Sequence, residues 1–310
     1  MENLQMVVRG IFAFLVLISA FPALADYERA EGSHDRQQFK EAFNACVKDA
    51  MAGETRCQVM LAALYNKGSG VDKDGEKAAA WLRKAAAQGS VTAEFLMGDM
   101  LFTGAGADED GRKAEEWLRK AADRGHAGAW VYLGFFHENG IGVNKDGKKA
   151  LASFIKAAEL GHAGGQWILG RRYYKGRLAA KDYKAAAAWL RKAADQGHAG
   201  AQTLLGLMHE KGRGVEDSYE KAIGYYTIAA EKGLYAEAQF SLGRIYEGGK
   251  GVEVDHEQAL KWFRKAADQG HAGAQHELGV IHEASAEPAL PAWRQELREA
   301  LEADFPKEWK

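Results

Sequence analysis

A motif that returns every 36 residues constrains the fold of this chain more than any other feature. The nine-residue segment that begins at Trp81 reappears nearly unchanged at 117–125, 189–197 and 262–270. The glycines that close the motif and its looser copies lie at positions 53, 89, 125, 161, 197, 233 and 270. Self-similarity at so regular a period predicts a solenoid of stacked repeats.

Two predicted helices occupy each repeat. Helix A follows the linker glycine and ends at a Gly-x-Gly turn, and helix B begins after an Asp or Ser, residue types that cap helix N-termini. In helix A of the second repeat, Ala93, Met97 and Met100 are spaced i, i+4 and i+7, which is the spacing of one buried helix face. The fourth turn departs from the pattern, because Leu178 takes the place of the second glycine after Gly176.

Composition supports the same interpretation and excludes one class of function. Glycine accounts for 36 of the 310 residues and proline for only 4, which favours helices separated by glycine turns. The 41 Lys and Arg residues are balanced by 43 Asp and Glu, so the formal net charge is −2 at pH 7. A nucleic-acid-binding protein that works through a basic surface is therefore not expected.

The chain divides into four predicted segments. Residues 1–25 are typical of a cleavable export signal, because Arg9 precedes an apolar run at 11–18 and a small-x-small cleavage site ends at Ala25. That apolar run is too short for a membrane-spanning helix. The other segments are an N-terminal capping helix within 26–53, six repeats over 54–270, and a partial repeat with a C-terminal capping helix over 271–310.

The repeat resembles a known family at many positions at once. Ala129, Leu133 and Gly134 fit an Ala-x-x-x-Leu-Gly element, which Gly-x-Gly-Val, Asp-x-x-Lys-Ala and a closing Lys-Ala-Ala-x-x-Gly-His element follow in turn. These elements are similar to the Sel1-like repeat, a relative of the tetratricopeptide repeat. The resemblance implies an all-α, right-handed αα-solenoid of about six 36-residue repeats with helical caps, and a role in protein-protein contacts.

The two cysteines occupy repeat positions that face the predicted core. Cys57 takes the helix A position of Ala93, Cys46 takes the helix B position of Leu82, and the pair flanks the turn at Gly53. We predict a disulfide between Cys46 and Cys57 that ties the N-terminal cap to the first repeat. Two buried free thiols are the alternative, since cysteine is among the most buried residue types.

Four histidines that directly follow linker glycines suggest an array of metal ligands. They are His126, His162, His198 and His271. Stacked helices lie about 8–10 Å apart, whereas two imidazoles that share one zinc ion each need a Zn–N distance of roughly 2.0–2.1 Å. We therefore interpret these histidines as turn and helix-start residues, and we predict no metal site and no cofactor.

One short motif raises the question of catalysis. Ser153 and Lys156 match the Ser-x-x-Lys element of penicillin-recognising enzymes, but no Ser-Asp-Asn or Lys-Thr-Gly partner occurs in the sequence. A serine without an activating base or oxyanion donors is inert. We therefore expect a protein that is not an enzyme.

The face of helix A opposite its core carries aromatic and arginine side chains instead of ordinary polar ones. By analogy with tetratricopeptide solenoids, helix A lines the concave side, so this face is predicted to form a partner-binding groove. Arg171 and Arg244 suit a carboxylate or a peptide backbone. The alternative is that some of these side chains pack between repeats. The predicted groove residues are Phe95, Phe135, Trp167, Arg171, Tyr174, Leu207 and Arg244.

These observations together predict an exported, non-catalytic interaction module that binds a protein or peptide in the cell envelope. The expected location is periplasmic or secreted, without stable membrane insertion once the signal is cleaved. Two alternatives stay open: a hydrolase of β-lactams or peptidoglycan fragments that uses Ser153, and a cell-wall glycan-binding module that uses Trp167 and Tyr174. The sequence identifies neither the partner nor the oligomeric state.

Overall fold

Helices make up the regular structure of the described part of the chain. The computed structural model describes residues 33–104, 110–231 and 235–284, and no strand occurs within these ranges. The helices are α1 Ser33–Met51, α2 Thr55–Lys67, α3 Gly75–Ala87, α4 Val91–Thr103, α5 Gly111–Asp123, α6 Ala127–Asn139, α7 Gly147–Glu159, α8 Ala163–Lys175, α9 Tyr183–Asp195, α10 Ala199–Glu210, α11 Tyr219–Glu231, α12 Ala236–Gly248, α13 His256–Asp268 and α14 Ala272–Ala284.

The predicted A and B helices alternate along the chain. From α2 onward the even-numbered helices are A helices and the odd-numbered ones are B helices. Consecutive helices from α1 to α7 and from α9 to α14 pack against each other. The predicted signal segment and the predicted C-terminal capping helix lie outside the described residues. The helices form two compact units: the first contains residues up to Leu169 with 177–180, and the second contains 170–176 and the residues from Lys181 onward.

Polar side chains begin the B helices as the sequence predicts. Asp74 accepts a hydrogen bond at 2.9 Å from the backbone N–H of Lys77, and the aspartates at 110, 146, 182 and 255 accept equivalent bonds. Ser218 does the same for α11 through its Oγ. A cap of this kind contributes about 1 kcal/mol to the stability of a helix.

The linker histidines begin A helices. The Nδ1 atoms of His126, His162, His198 and His271 each accept a hydrogen bond of 3.1–3.3 Å from a backbone N–H three residues ahead, which confirms their interpretation as helix-start residues. An imidazole accepts at Nδ1 only when that nitrogen carries no proton. Burial, together with the charge of His162, lowers the pKa of His126 to about 4, so the cap remains neutral at pH 7.

A buried glutamine ties several A helices to the B helix before them. Gln58, Gln166, Gln202 and Gln239 each donate a side-chain hydrogen bond to a backbone carbonyl near the end of the preceding B helix, at 3.0–3.4 Å. These bonds satisfy carbonyl groups that a helix end otherwise leaves unpaired. Consecutive repeats are thereby linked through backbone atoms as well as through apolar side chains.

In the second to sixth repeats, a large B-helix side chain rests on a glycine of the A helix, whereas the first repeat carries Ala62 at this position. A Cβ atom at Gly134 would lie 2.4 Å from the ring of Phe154, and one at Gly98 would lie 2.5 Å from Leu118. The same arrangement pairs Gly170 with Leu190, Gly206 with Tyr226 and Gly243 with Phe263. The two helices therefore approach more closely than a methyl group at these positions permits.

The irregular fourth turn keeps the geometry of the others. Leu178 has a φ of +69°, close to the +67° of Gly142 at the equivalent position. A left-handed backbone costs a non-glycine residue about 1–2 kcal/mol. Leu178 is half-buried against a cluster that includes Phe154 and Trp167, and this burial offsets the cost.

Two glycine-to-alanine substitutions test the glycine contact. Both sites lie inside helices, where alanine is favoured by about 1 kcal/mol. We expect Gly134→Ala to destabilise the protein by about 1–3 kcal/mol, because the new methyl group collides with Phe154. Gly224→Ala is the matched control: its Cβ meets no atom within 4 Å, so it is expected to stabilise the protein slightly. Urea unfolding of both variants measures the two effects, and effects of the same sign would contradict this account.

Candidate functional site

The seven predicted groove residues, which we call the A face, do not share one environment. Phe95 is fully buried, Arg244 is exposed, and the other five are half-buried. The A face is therefore described separately for the two units. In the first unit it consists of Phe95, Phe135 and Trp167, and in the second unit it consists of Arg171, Tyr174, Leu207 and Arg244.

Phe95 belongs to the core of the first unit. Its side chain is 0% exposed, its ring stacks on His126 at 4.3 Å between centroids, and the edge of Tyr132 meets it at 5.4 Å. The prediction that Phe95 lines an open groove is therefore wrong. The next A helix, α6, contributes the two side chains that cover it, so here the alternative of packing between repeats is the correct one.

A buried acid lies next to Phe95 on the same face of α4. Asp99 is 6% exposed, and its Oδ1 accepts a hydrogen bond from the hydroxyl of Tyr132 at 2.7 Å. Burial raises the pKa of Asp99 to about 6, and the hydrogen bond from Tyr132 opposes this rise. Because Asp99 is closed off from solvent, its ionisation affects the stability of the fold, and its side chain cannot contact a partner.

Phe135 and Trp167 combine packing with partial exposure. The ring of Phe135 meets Phe154 edge-on at 5.3 Å, and both half-buried residues pack against an apolar cluster that includes Val131 and Ile168. Trp167 therefore supports the core of the first unit with part of its ring. Part of each of these two aromatic side chains remains accessible to solvent.

In the second unit, Tyr174 lies beside an arginine that the sequence analysis did not single out. Arg213 donates a hydrogen bond to the Tyr174 hydroxyl at 2.7 Å, and its guanidinium lies 5.8 Å from the ring centres of both Tyr174 and Tyr183. Arg213 itself is exposed. This cation between two tyrosines forms a polar and aromatic site on the surface.

A charged cleft lies on the same unit, and one of its residues, Glu210, is one helical turn after Leu207 in α10. The cleft is lined by Glu210, Ser241, Arg244, Ile245 and Lys250. Glu210 accepts a hydrogen bond from the hydroxyl of the buried Tyr226 at 3.1 Å, and it pairs with Lys211 at 2.7 Å. Burial raises the pKa of Glu210, but the hydrogen bond from Lys211 and the positive charges of Lys211 and Arg244 lower it by more, so Glu210 is ionised at neutral pH.

A basic residue in the Gly-x-Gly turn recurs beside the A face. Arg177 pairs with Glu138 at 3.0 Å, Arg213 bonds Tyr174, and Lys250 lines the cleft at Glu210. Each is the middle residue of its turn, in the fourth, fifth and sixth repeats. A comparison of the middle turn residues between repeats would have revealed these three cations from the sequence.

Ser153 and Lys156 are engaged in separate structural contacts. The hydroxyl of Ser153 is buried and donates to the backbone carbonyl of Lys149 at 2.9 Å, within its own helix. The ammonium of the exposed Lys156 lies 3.7 Å from Glu159. Neither contact activates Ser153 as a nucleophile, because its proton is directed at a main-chain oxygen and not at a base.

The two cysteine side chains touch. Their Sγ atoms are 2.7 Å apart, both residues are half-buried, and both are present as free thiols. Burial and the neighbouring Cys46 raise the pKa of Cys57 to about 12. A thiol with so high a pKa is a poor nucleophile.

The described residues contain neither a metal-binding cluster nor a membrane-spanning helix. No group of three or more His, Cys, Asp or Glu side chains is placed to hold a metal ion within the part of the chain that the structure describes. Among the same residues, no helix combines the length and apolar character that crossing a membrane requires.

Comparison with known families identifies the repeat. A model of the Sel1 repeat matches the chain six times, at residues 55–90, 91–126, 131–162, 163–198, 199–234 and 236–271. These matches, with the helices described above, confirm the prediction of an all-α solenoid. No curated protein matches the sequence.

Two solved structures share the fold at close to one-third identity. A protective antigen present in uropathogenic Escherichia coli strains, which displays an SLR fold, is 32% identical with a TM-score of 0.73, and the match covers 84% of this chain and 56% of the antigen. A Sel1 repeat protein from Oxalobacter formigenes is 31% identical with a TM-score of 0.69, and the match covers 74% and 94% of the two chains. This chain therefore spans little more than half the length of the antigen.

Replacement of Asp99 by Asn tests the cost of the buried acid. A folded-state pKa of about 6, above the ordinary value of 3.8, means that Asp99 stabilises the fold below pH 4 and that this contribution is lost as the pH rises through 6. Asn still accepts the hydrogen bond from Tyr132 and carries no charge. We expect Asp99→Asn to be more stable than the wild type by about 1–3 kcal/mol at pH 7 and equally stable at pH 4. Urea unfolding at both pH values measures this, and a pH-independent difference would count against it.

Proposed function

This chain belongs to the Sel1 repeat family, whose fold commonly mediates protein-protein interaction, and from this premise we propose that it binds a protein or peptide on its A face. The proposal is carried by one observation: in the second unit, the exposed Arg244 lines a charged cleft with Glu210, and the half-buried Leu207 lies one helical turn before Glu210 in α10. A face of helices that solvent alone covers ordinarily carries scattered polar residues. This surface is complementary to a partner that presents both apolar and charged groups.

The side chains of this surface suit a polypeptide. Leu207 offers apolar area, Glu210 accepts hydrogen bonds, and Arg244 pairs with a carboxylate or donates to a main-chain carbonyl. Tyr174 and Arg213 add an aromatic and cationic site on the same unit. Aromatic and arginine side chains are enriched among the residues that contribute most to protein-protein binding.

Export to the periplasm or the medium is part of the same proposal. The support is the pattern of residues 1–25, where Arg9 precedes a short apolar run and small residues at 23 and 25 mark a cleavage site. The partner would then be a protein or peptide of the cell envelope. N-terminal sequencing of protein recovered from the periplasm tests the expected start at Asp26.

Site-specific photo-crosslinking in the native compartment tests the A face. A crosslinking residue at Arg244 is expected to capture a discrete partner, whereas one at Asp195, exposed at the end of the B helix α9, is expected to capture none. Arg244 is a better position for the crosslinking residue than the half-buried Trp167, because substitution of an exposed residue leaves the core intact. Equal labelling at both positions, or none at either, would remove the A face from consideration.

Variants then measure the contribution of each contact to binding of the captured partner. We expect Leu207→Asp and Arg244→Glu each to weaken binding at least tenfold, about 1.4 kcal/mol, while the urea midpoint shifts little because neither residue is fully buried. Asp195→Lys is the matched control and should leave the affinity unchanged. A captured glycan in place of a protein would favour the carbohydrate alternative.

We also propose that Cys46 and Cys57 form a disulfide when the protein resides in an oxidising compartment. The support is the 2.7 Å approach of their Sγ atoms, between α1 and the first repeat. Closing a loop of this length contributes roughly 2–3 kcal/mol. Reductant should lower the free energy of unfolding of the wild type by this amount and leave the Cys46→Ser, Cys57→Ser double variant unaffected. Two titratable thiols in denatured protein isolated from the periplasm would contradict the pairing.

A further inference from the structure

A recurring pair on the B helices is missing from the fifth repeat. In four B helices a lysine ammonium lies 4.2–4.4 Å from the ring centre of the tryptophan three residues before it. These pairs are Trp81 with Lys84, Trp117 with Lys120, Trp189 with Lys192 and Trp262 with Lys265. At the same positions α11 carries Tyr225 and Ile228, so an apolar side chain replaces the cation. Ile228 is 46% exposed.

A third departure from the repeat lies next to this pair. Gly224 precedes Tyr225, whereas the other B helices carry alanine, glutamate or lysine at that position. A Cβ atom at Gly224 would meet no atom within 4 Å, so packing does not require a glycine here. Glycine inside a helix costs about 1 kcal/mol relative to alanine. Its effect is to remove a side chain from the surface beside Ile228.

The three departures coincide with a depression of about 440 Å³ in the second unit. It is lined by Arg191 of α9, His209 of α10, and Lys221, Gly224, Tyr225 and Ile228 of α11. The rings of His209 and Tyr225 are stacked, with centroids 5.7 Å apart. A hydrogen bond of 2.8 Å between His209 Nδ1 and the carbonyl of Glu216 holds the imidazole in place. The walls are therefore largely apolar and aromatic.

The charges at the rim of the depression are positive. Lys221 is paired with Glu216 at 2.5 Å, which leaves its charge largely neutralised. Arg191 is exposed and forms no ion pair with any residue that the structure describes. An arginine guanidinium binds a carboxylate through two parallel hydrogen bonds. An apolar depression with one free guanidinium at its edge is complementary to a ligand that has an apolar body and one carboxylate.

We propose that this depression binds the C-terminal residue of a polypeptide, with its apolar side chain against Gly224, Tyr225 and Ile228 and its terminal carboxylate on Arg191. A C-terminal residue is the place in a protein where an apolar side chain and a carboxylate share one α-carbon. The site is formed by the B helices α9 and α11 with His209 of α10, shares no residue with the A face, and is independent of the A-face proposal. It offers the protein a second mode of partner recognition, directed at chain ends.

Short peptides test the chemistry directly. Calorimetry is carried out on the full protein with an acetylated tripeptide that ends in Phe, with its C-terminal amide, and with the same tripeptide that ends in Ser. We expect the free acid ending in Phe to bind at least tenfold more tightly than either of the other two. Equal affinity for the acid and the amide, or no binding of any peptide at millimolar concentration, overturns the proposal.

Variants that restore the features of the other repeats locate the site. Ile228→Lys recreates the consensus lysine and Gly224→Leu fills the depression, and each is expected to weaken binding of the Phe peptide at least tenfold. Both place helix-compatible side chains on the surface, so folding should be retained. Arg191→Gln should remove the preference for acid over amide, whereas Arg264→Gln, at the equivalent position of the sixth repeat, should change nothing. Unchanged binding in Gly224→Leu overturns the assignment of the site.

Discussion

Five of the six repeats depend on a large B-helix side chain that rests directly on a glycine of the A helix. Where Phe154 meets Gly134, a single additional carbon would lie 2.4 Å from the ring. Glycine inside a helix costs about 1 kcal/mol relative to alanine. The close packing of the two helices, which a methyl group would prevent, offsets this cost. Because the contact recurs from the second repeat to the sixth, it determines which sides of those helix pairs are buried against each other. The A face and the outer surface of the B helices are the sides of the helices that point away from this contact.

Differences between the two units arise from the side chains placed on this common frame. In the first unit Tyr132 reaches back to bond Asp99, and the surface of α4 is closed. The equivalent position in the sixth repeat is Ser241, whose short side chain leaves the cleft beside Glu210 and Arg244. At this position the large Tyr132 accompanies a buried face, and the small Ser241 accompanies an open cleft.

A repeat protein also carries its own internal comparison. A residue that is structurally required appears at the same position in most repeats, as the Asp caps and the paired Trp and Lys of the B helices do. A residue that departs from the others without a packing reason points instead to a particular role. Gly224 and Ile228 are of this second kind, since open space surrounds one and solvent meets nearly half of the other. The same comparison identifies Arg177, Arg213 and Lys250 in the turns.

The sequence alone determined the helical solenoid, the helix-start residues and the core face of each helix, because these depend on spacing within one repeat. It placed Phe95 and Arg244 on the same face of their A helices and gave no reason to expect different exposure. Only the tertiary structure showed that Phe95 is covered by His126 and Tyr132 while Arg244 remains exposed. The physical reason is that periodicity identifies the side of a helix that points away from its own partner, whereas burial there depends on the side chains that the next repeat supplies.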